Sequence, residues 1–379
     1  MIYLDNAATT RMYEECLNDF KHYAVDEFYN PSALYNKAFD VVTAIREARR
    51  TIANSLHADE NEIVFTASGS EADNLAILGG LKRKNKTVII SNVEHSAVYN
   101  TATELKNQGY NIVYAPVDRF GRVDIDKFED LLDENVVFVS IMHVCNETGA
   151  LNDIKTLSKL IKENCSKDVL FHVDGVQSYM KFDINVKQLG IDLFSMSAHK
   201  VHGPKGVGAL YIRKGVNLKP IIFGGGQEFG LRSATENVAG INAFATAVKK
   251  NMSLENYGYG NTKAMLERLA DKLNANFGDH LMINTDFKHS GPNILSVAFD
   301  NFRGEVLLHA LEKHGILIGT GSACSSKKAT RRIPTALNIP SSFQDGMLRI
   351  SVSNESTEDE LNALYDAFTV EYEEFRKYK

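Results

Sequence analysis

Four short segments carry residue types able to do covalent or binding chemistry. In Ser195-Met196-Ser197-Ala198-His199-Lys200-Val201-His202-Gly203-Pro204-Lys205-Gly206-Val207-Gly208, two lysines sit between apolar runs among histidines and glycines. Most lysines are solvated. A lysine in this setting points to a Schiff base, which needs an amine held close to its ligand and ready to lose its proton. The local pattern does not choose between Lys200 and Lys205. In Phe171-His172-Val173-Asp174-Gly175-Val176-Gln177, Asp174 closes an apolar run. A buried carboxylate is costly without a partner. A cationic ring nitrogen would supply one, and backbone N–H groups are the ordinary alternative.

The third segment is Phe65-Thr66-Ala67-Ser68-Gly69-Ser70-Glu71-Ala72. Ser68 and Glu71 fit the S-x-x-E capping box at a helix start. Gly69 and Ser70 then offer backbone N–H groups and a hydroxyl where the helix dipole favours an anion. The segment is neither G-x-G-x-x-G nor a Walker loop, so the anion expected is a monophosphate rather than a nucleotide tail. A capped helix that binds nothing is the alternative. The fourth is Gly319-Thr320-Gly321-Ser322-Ala323-Cys324-Ser325-Ser326. A cysteine among small residues is not filling a core and is expected on an exposed loop. The thiolate is the reactive form, and Lys327, Lys328, Arg331 and Arg332 would favour it. An incidental surface thiol is the alternative.

These segments need a scaffold. From about Ile63 to Ile212, apolar strands alternate with helical patterns. The expected strands are 63–66, 87–91, 111–115, 136–141, 169–173, 193–196 and 208–212, with helices near 71–84 and 96–107. Fully apolar strands separated by helices predict an α/β fold, a mostly parallel seven-stranded sheet covered on both faces. Ligands on such sheets sit beyond the carboxyl ends of the strands. After Thr235 a long helical stretch is expected to about Ala275, then a strand at 293–299, a helix at 305–314 and a strand at 347–352. The division that follows is a large domain over 15–255 and a smaller α+β domain, 256–379 with 1–14, that carries the cysteine loop.

Composition narrows the class. The 379 residues are 44% hydrophobic and 24% charged, ordinary for a soluble globular chain. The net charge of -6 excludes a basic nucleic-acid binder as a whole molecule. The start, Met1 to Asn6, has neither a basic nor an apolar signal region, and the run 136–142 is too short to span a bilayer. Cys16, Cys145, Cys165 and Cys324 form no C-x-x-C pair and no zinc spacing, so no metal site and no disulfide framework is expected. Free thiols place the chain in the cytoplasm.

Taken in order, the segments 3–10, 30–32, 69–71, 94–95, 146–149, 172–174, 199–200, 224–228, 321–324 and 348–351 resemble the cysteine desulfurases of the class V aminotransferase family, pyridoxal-phosphate enzymes of fold type I. The resemblance implies roles. Lys200 would carry pyridoxal 5'-phosphate as a Schiff base and later move protons. Asp174 would pair with the pyridinium nitrogen and keep the ring an electron sink. His95 would stack on the ring and act in acid–base steps, and Gln177 would contact the phenolic oxygen. Gly69, Ser70, Ser197 and His199 would hold the phosphate, joined by Thr235 from the other subunit of a homodimer. Asn146 and Arg349 would bind the carboxylate of L-cysteine. Cys324 would attack the substrate sulfur, leaving alanine and a persulfide for an acceptor protein, either an iron–sulfur scaffold or a tRNA sulfurtransferase. The alternative is a selenocysteine lyase or a related aminotransferase without persulfide transfer.

Some positions depart from the family pattern. Tyr35 stands where many relatives have His, Ser68, Ala198 and Ala234 replace glycines, and Cys145 replaces an Asn. Cys145 reads as a packing residue. The basic tract 327–332, next to Cys324 on an acidic protein, is a candidate surface for steering an acidic acceptor.

Overall fold

The apolar runs between Ile63 and Ile212 assemble into a single seven-stranded sheet in the computed structural model. The structure describes residues 1–81, 86–320 and 332–376. Across the sheet the strands run Ile63–Thr66, Gly208–Ile212, Leu193–Ser197, Leu170–Asp174, Val136–Met142, Thr87–Ser91 and Asn111–Ala115. Pairing is parallel except around Gly208–Ile212, which is antiparallel to both of its neighbours.

The continuous apolar character of these strands follows from burial on both faces. Phe65, Ile89, Val139, Phe171, Phe194 and Ala209 point into one core, shared with helices Asn36–Asn54, Ile154–Asn164 and Val238–Ser253. The alternate residues Val64, Val88, Phe138, Leu193 and Leu210 point into a second, beneath helices Gly69–Gly80 and Ser96–Asn107. Strand period and helix period thus meet on each face.

A further core joins Leu4 to apolar residues from Met265 to Tyr372. It lies around an antiparallel sheet ordered Met347–Ser351, Ile294–Phe299, Leu281–Ile283. The chain start belongs here: Ile2–Tyr3 pairs in parallel with Ile316–Leu317, and Asp5 bridges to Ser351. From there the segment crosses to the large sheet, where the Thr10 N–H donates to the His199 carbonyl.

The structure corrects the reading after Thr235. The expected continuous helical stretch is two helices, Val238–Ser253 and Thr262–Phe277. Between them Asn256 and Tyr257 have φ of 48° and 55°, and Gly258 has 78°. Consecutive left-handed residues cannot continue a right-handed helix. Several strands also run one residue further than read, to Met142, Asp174 and Ser197, which makes the last two part of the sheet itself.

Candidate active site

Ser91, Met142, Asp174, Ser197 and Thr66 end their strands at one edge of the sheet. This is the edge where an α/β sheet binds its ligand. Gly208 faces both Thr66 and Ser197 there, and a Cβ on it would lie 2.7 Å from the Met196 carbonyl oxygen and from the Ser68 backbone. Only glycine lets the Ser68 loop pass this close.

That loop starts helix Gly69–Gly80. Ser68 Oγ accepts the Glu71 N–H at 3.1 Å, the first half of the expected capping box. The return half differs: Glu71 accepts from Ala67 N rather than from Ser68 N, and its other oxygen accepts from Arg232 Nε at 2.8 Å. The first turn is fastened to the 224–235 loop by this ion pair. A Cβ on Gly69 would meet Val176 Cγ2 at 2.7 Å and Ser197 Cβ at 3.3 Å. Gly69 and Ser197 are therefore neighbours, although 128 positions separate them in the chain.

Asp174 is 5% exposed, and its Oδ1 accepts the Val176 N–H at 2.9 Å. Burial raises its carboxyl pKa, against the pull of His95 and Lys200. A ring nitrogen of His95 and carboxylate oxygens of Asp174 and Asp73 all lie within 4.8 Å of one another. His95 caps helix Ser96–Asn107, its Nδ1 accepting the Ala97 N–H at 3.1 Å. In the neutral ring the proton is then on Nε2. His95 is deep among protein atoms yet open to the cleft; desolvation lowers its pKa, Asp174 opposes this, and Lys200, Arg332 and Arg349 add to it.

Lys200 Nζ donates to the carbonyls of Ala7 at 2.6 Å and Ala8 at 2.8 Å. Gln177 Nε2 donates to the same Ala7 carbonyl at 2.8 Å. Lys205, by contrast, is exposed in the loop before Gly206. The two lysines that local pattern left open are thus in different surroundings, one beside Asp174 and His95 and one in solvent. His199 Nδ1 meets Thr9 Oγ1 at 3.1 Å, and burial with Lys200 and Lys205 nearby pushes its pKa down to about 4.

On the far wall, Arg349 is 6% exposed in strand Met347–Ser351. Its Nη2 donates to Asp5 Oδ1 at 2.8 Å and its Nη1 to the Asn146 carbonyl at 2.9 Å, while Nε is buried without a partner among the described residues. The Asn146 side chain donates to Glu147 Oε1 at 2.8 Å. Asp5, Ala7, Ala8 and Thr9 join the site through these contacts, and nothing in the sequence beyond their place in the 3–10 segment announces it. Thr235 is exposed before helix Val238–Ser253. Cys324, with Lys327, Lys328 and Arg331, lies outside the described residues.

Two expectations meet a definite outcome. Cys145 is fully buried against Val93, Met142, Ile333 and Leu337, and desolvation raises its thiol pKa. Arg332 does not belong to a solvated tract. Its guanidinium is hydrogen-bonded to the Asn92 and Glu94 carbonyls and lies 4.0 Å from the centre of the Tyr99 ring. Of the departures, Ser68 serves as the helix cap and Ala198 is buried, while Tyr35 and Ala234 are exposed.

The residues fit a phosphate-bearing pyridine. Ser197 Oγ and Gln177 Oε1 are buried with no hydrogen-bond partner among the described residues. Orphaned polar atoms at a ligand edge call for an occupant. Gly69 opens helix Gly69–Gly80 beside Ser197, and a helix start suits a phosphate. Among the described residues the Asp174 carboxylate accepts a hydrogen bond from the Val176 N–H and none from a cationic side chain, which suits a protonated ring nitrogen.

A family model described as aminotransferase class-V matches residues 2–364. The cysteine desulfurase IscS of Dictyoglomus turgidum is 38% identical over 369 residues, 96% of this chain and 93% of the relative. A solved structure titled NifS-like protein superposes with a TM-score of 0.91 at 33% identity, over 98% of this chain and 99% of its own. Another, titled SspA in complex with cysteine, gives 0.81 at 31% identity over 94% of this chain and 100% of its own. With a matching fold, a site suited to pyridoxal 5'-phosphate and matches of this extent, the chain belongs to the class-V aminotransferase family.

Proposed function

We propose that the chain is a pyridoxal-phosphate-dependent cysteine desulfurase, which converts L-cysteine to L-alanine and holds the sulfur as a persulfide on Cys324 for transfer to an acceptor protein. The observation that carries this reading is the convergence of Lys200, Asp174 and His95 at one sheet edge facing Arg349, in a chain whose relatives are named cysteine desulfurases.

When bound, the cofactor supplies an electron sink. Asp174 would hold its ring nitrogen, Gly69, Ser70, Ser197 and His199 its phosphate, and Gln177 its phenolic oxygen. Lys200, steadied by the Ala7 and Ala8 carbonyls, is the amine that attaches it and the group that moves protons between substrate carbons. Arg349, oriented by Asp5 and the Asn146 carbonyl, takes the substrate carboxylate, with Asn146 beside it. The Cys324 thiolate attacks the substrate sulfur. A sulfur–sulfur bond forms, the carbon–sulfur bond breaks with its electron pair left on carbon, and a proton delivered there completes alanine.

The working unit is a two-fold homodimer in which Thr235 reaches the phosphate site of the partner. Exposed Phe28, Leu34 and Phe39, with Phe223 and Phe229, support such an interface. The acceptor is an iron–sulfur scaffold or a tRNA sulfurtransferase, in the cytoplasm; no described helix is long and apolar enough to cross a membrane. The division into domains at 15–255 and 256–379 with 1–14 is part of the same reading, supported by the separate core around Leu4 and Phe299.

The test is to supply the reconstituted protein with L-cysteine and a reductant and to identify products. Alanine and sulfide in equal amounts are expected. A 2-oxo acid in place of alanine would move the chain to the aminotransferase reading, and turnover of selenocysteine alone to the lyase reading.

A further inference from the structure

The sheet face beneath helix Gly69–Gly80 is apolar until it nears the ligand edge, where a polar row crosses three strands. Side chains alternate along a strand, so Ser140 shares the face of Phe138, His172 and Asp174 that of Leu170, and Ser195 that of Leu193. Phe138, Leu170 and Leu193 belong to the core under this helix. Ser140 stands opposite His172 in the pairing of their strands, and Asp174 opposite Ser195. Ser140 Oγ meets His172 Nδ1 at 2.8 Å and Ser195 Oγ meets His172 Nε2 at 2.9 Å, with all three residues fully buried. The helix adds one more polar group. Asp73, one turn after Gly69, is 1% exposed, and its Oδ1 lies 3.6 Å from His172 Nε2 without a hydrogen-bond partner among the described residues.

No cation answers this carboxyl. His172 stays neutral, since burial pushes its pKa down to about 3, and desolvation lowers that of His95 as well. The other titratable groups facing Asp73 are acids. An oxygen of Asp174 lies within 4.8 Å of one of Asp73, and Glu94 approaches from the turn before His95. Two carboxylates this close in a dry site do not both ionise. Burial raises the Asp73 carboxyl well above the usual range, Asp174 and Glu94 push the same way, and a hydrogen bond from Ser195 opposes them.

We propose that Asp73 is a positioning residue that keeps a proton beside Asp174: seated on the Ser140–His172–Ser195 row, it remains a neutral acid, and Asp174 is the one anion facing the ring nitrogen of the cofactor. The proposal rests on Asp174 being the partner of that nitrogen. One anion against one ring cation leaves no unpaired charge in the interior, whereas a second carboxylate would be buried without a counter-charge. The neutral acid also answers the polar row, which would otherwise face the helix with unpaired groups.

The experiment uses the holoenzyme, as wild type and as Asp73→Asn, Asp73→Ala and Asp174→Asn. Infrared spectra of protein carrying carboxyl-labelled aspartate, in which Glu94 is silent, should show a protonated aspartic acid at neutral pH in wild type and lose it in Asp73→Asn. Asp73→Ala leaves the row without its partner and should weaken binding of pyridoxal 5'-phosphate about tenfold or more. Asp73→Asn keeps the shape and the neutral charge and should restore that affinity to within about threefold of wild type. Absence of the protonated band, or its persistence in Asp73→Asn, would overturn the proposal, and this outcome does not depend on what Asp174 does. Tenfold weaker binding in Asp73→Asn would also overturn it, because the carboxyl would then act as an anion. Binding by Asp73→Ala as tight as by Asp73→Asn would show that Asp73 positions nothing. Asp174→Asn that holds the cofactor with the affinity and spectrum of wild type would remove the pairing at the ring nitrogen, and this proposal with it.

Discussion

Glu228 is held in the interior by one guanidinium and one amide. Arg49 Nη1 and Nη2 reach its two carboxylate oxygens at 2.7 Å each, and the Phe65 N–H donates to it at 2.7 Å. Both partners are only 8% exposed. Arg49 also donates to the Ile63 carbonyl at 2.6 Å and lies over the rings of Phe65 and Phe229. In Glu228→Ala the Arg49 charge stays buried without a counter-charge and the Phe65 amide loses its acceptor. Removing one member of a buried pair costs about 3–5 kcal/mol. Replacing both members, in Glu228→Ala with Arg49→Met, leaves no stranded charge; the main remaining cost is the orphaned Phe65 N–H, about 1–3 kcal/mol, beside the loss of the Arg49 donor at the Ile63 carbonyl. The double variant should therefore be more stable than Glu228→Ala alone, by roughly 2 kcal/mol. Urea unfolding of wild type, both single variants and the double variant reads this coupling. A second effect is expected on the cofactor. Glu228 and Phe229 have φ of 49° and 58°, a strained turn next to the loop that brings Arg232 to Glu71. Loosening it should weaken cofactor retention. A double variant no more stable than Glu228→Ala would refute the claim that a stranded Arg49 charge dominates the cost.

Two further outcomes follow from the site. Borohydride reduction of the holoenzyme followed by peptide mapping should locate the cofactor on Lys200, which faces the Ala7 and Ala8 carbonyls, and an adduct on the exposed Lys205 would overturn that assignment. Burial raises the Glu94 carboxyl from 4.5 to about 8, so the folded state holds this proton more tightly than the unfolded state. Its contribution to stability is complete below pH 4.5 and is lost as pH rises through about 8. Glu94→Gln, which mimics the protonated acid, should thus gain stability relative to wild type across that interval. A difference in unfolding free energy that does not change with pH would count against the buried acid.

Much of this was legible in the chain before folding. Asp174 stood out because a carboxylate that ends an apolar strand needs a reason to be there, and the fold puts it at the ligand edge with Ser197. The two-faced strands also read correctly, since helices cover both sides. What local pattern could not supply came from distant chain. The choice between Lys200 and Lys205 depends on carbonyls of Ala7 and Ala8, almost two hundred positions away. Arg332 looked like one more member of a charge run, because nothing in its neighbours announces the Tyr99 ring or the Asn92 and Glu94 carbonyls. The break after Ser253 is a different case: Asn256, Gly258 and Gly260 favour turns and left-handed backbone, so the signal lay in the sequence and the reading ran through it.

The central claim is that sulfur leaves cysteine onto this chain's own thiol. It is tested most directly by mixing the holoenzyme with an equimolar amount of L-cysteine, without reductant, and mapping the protein by mass spectrometry while counting alanine. The account predicts one alanine per active site and one added sulfur atom on the peptide containing Cys324, with Cys16, Cys145 and Cys165 unmodified. Alanine formed in full with no sulfur on Cys324, or with the sulfur on another cysteine, would contradict it.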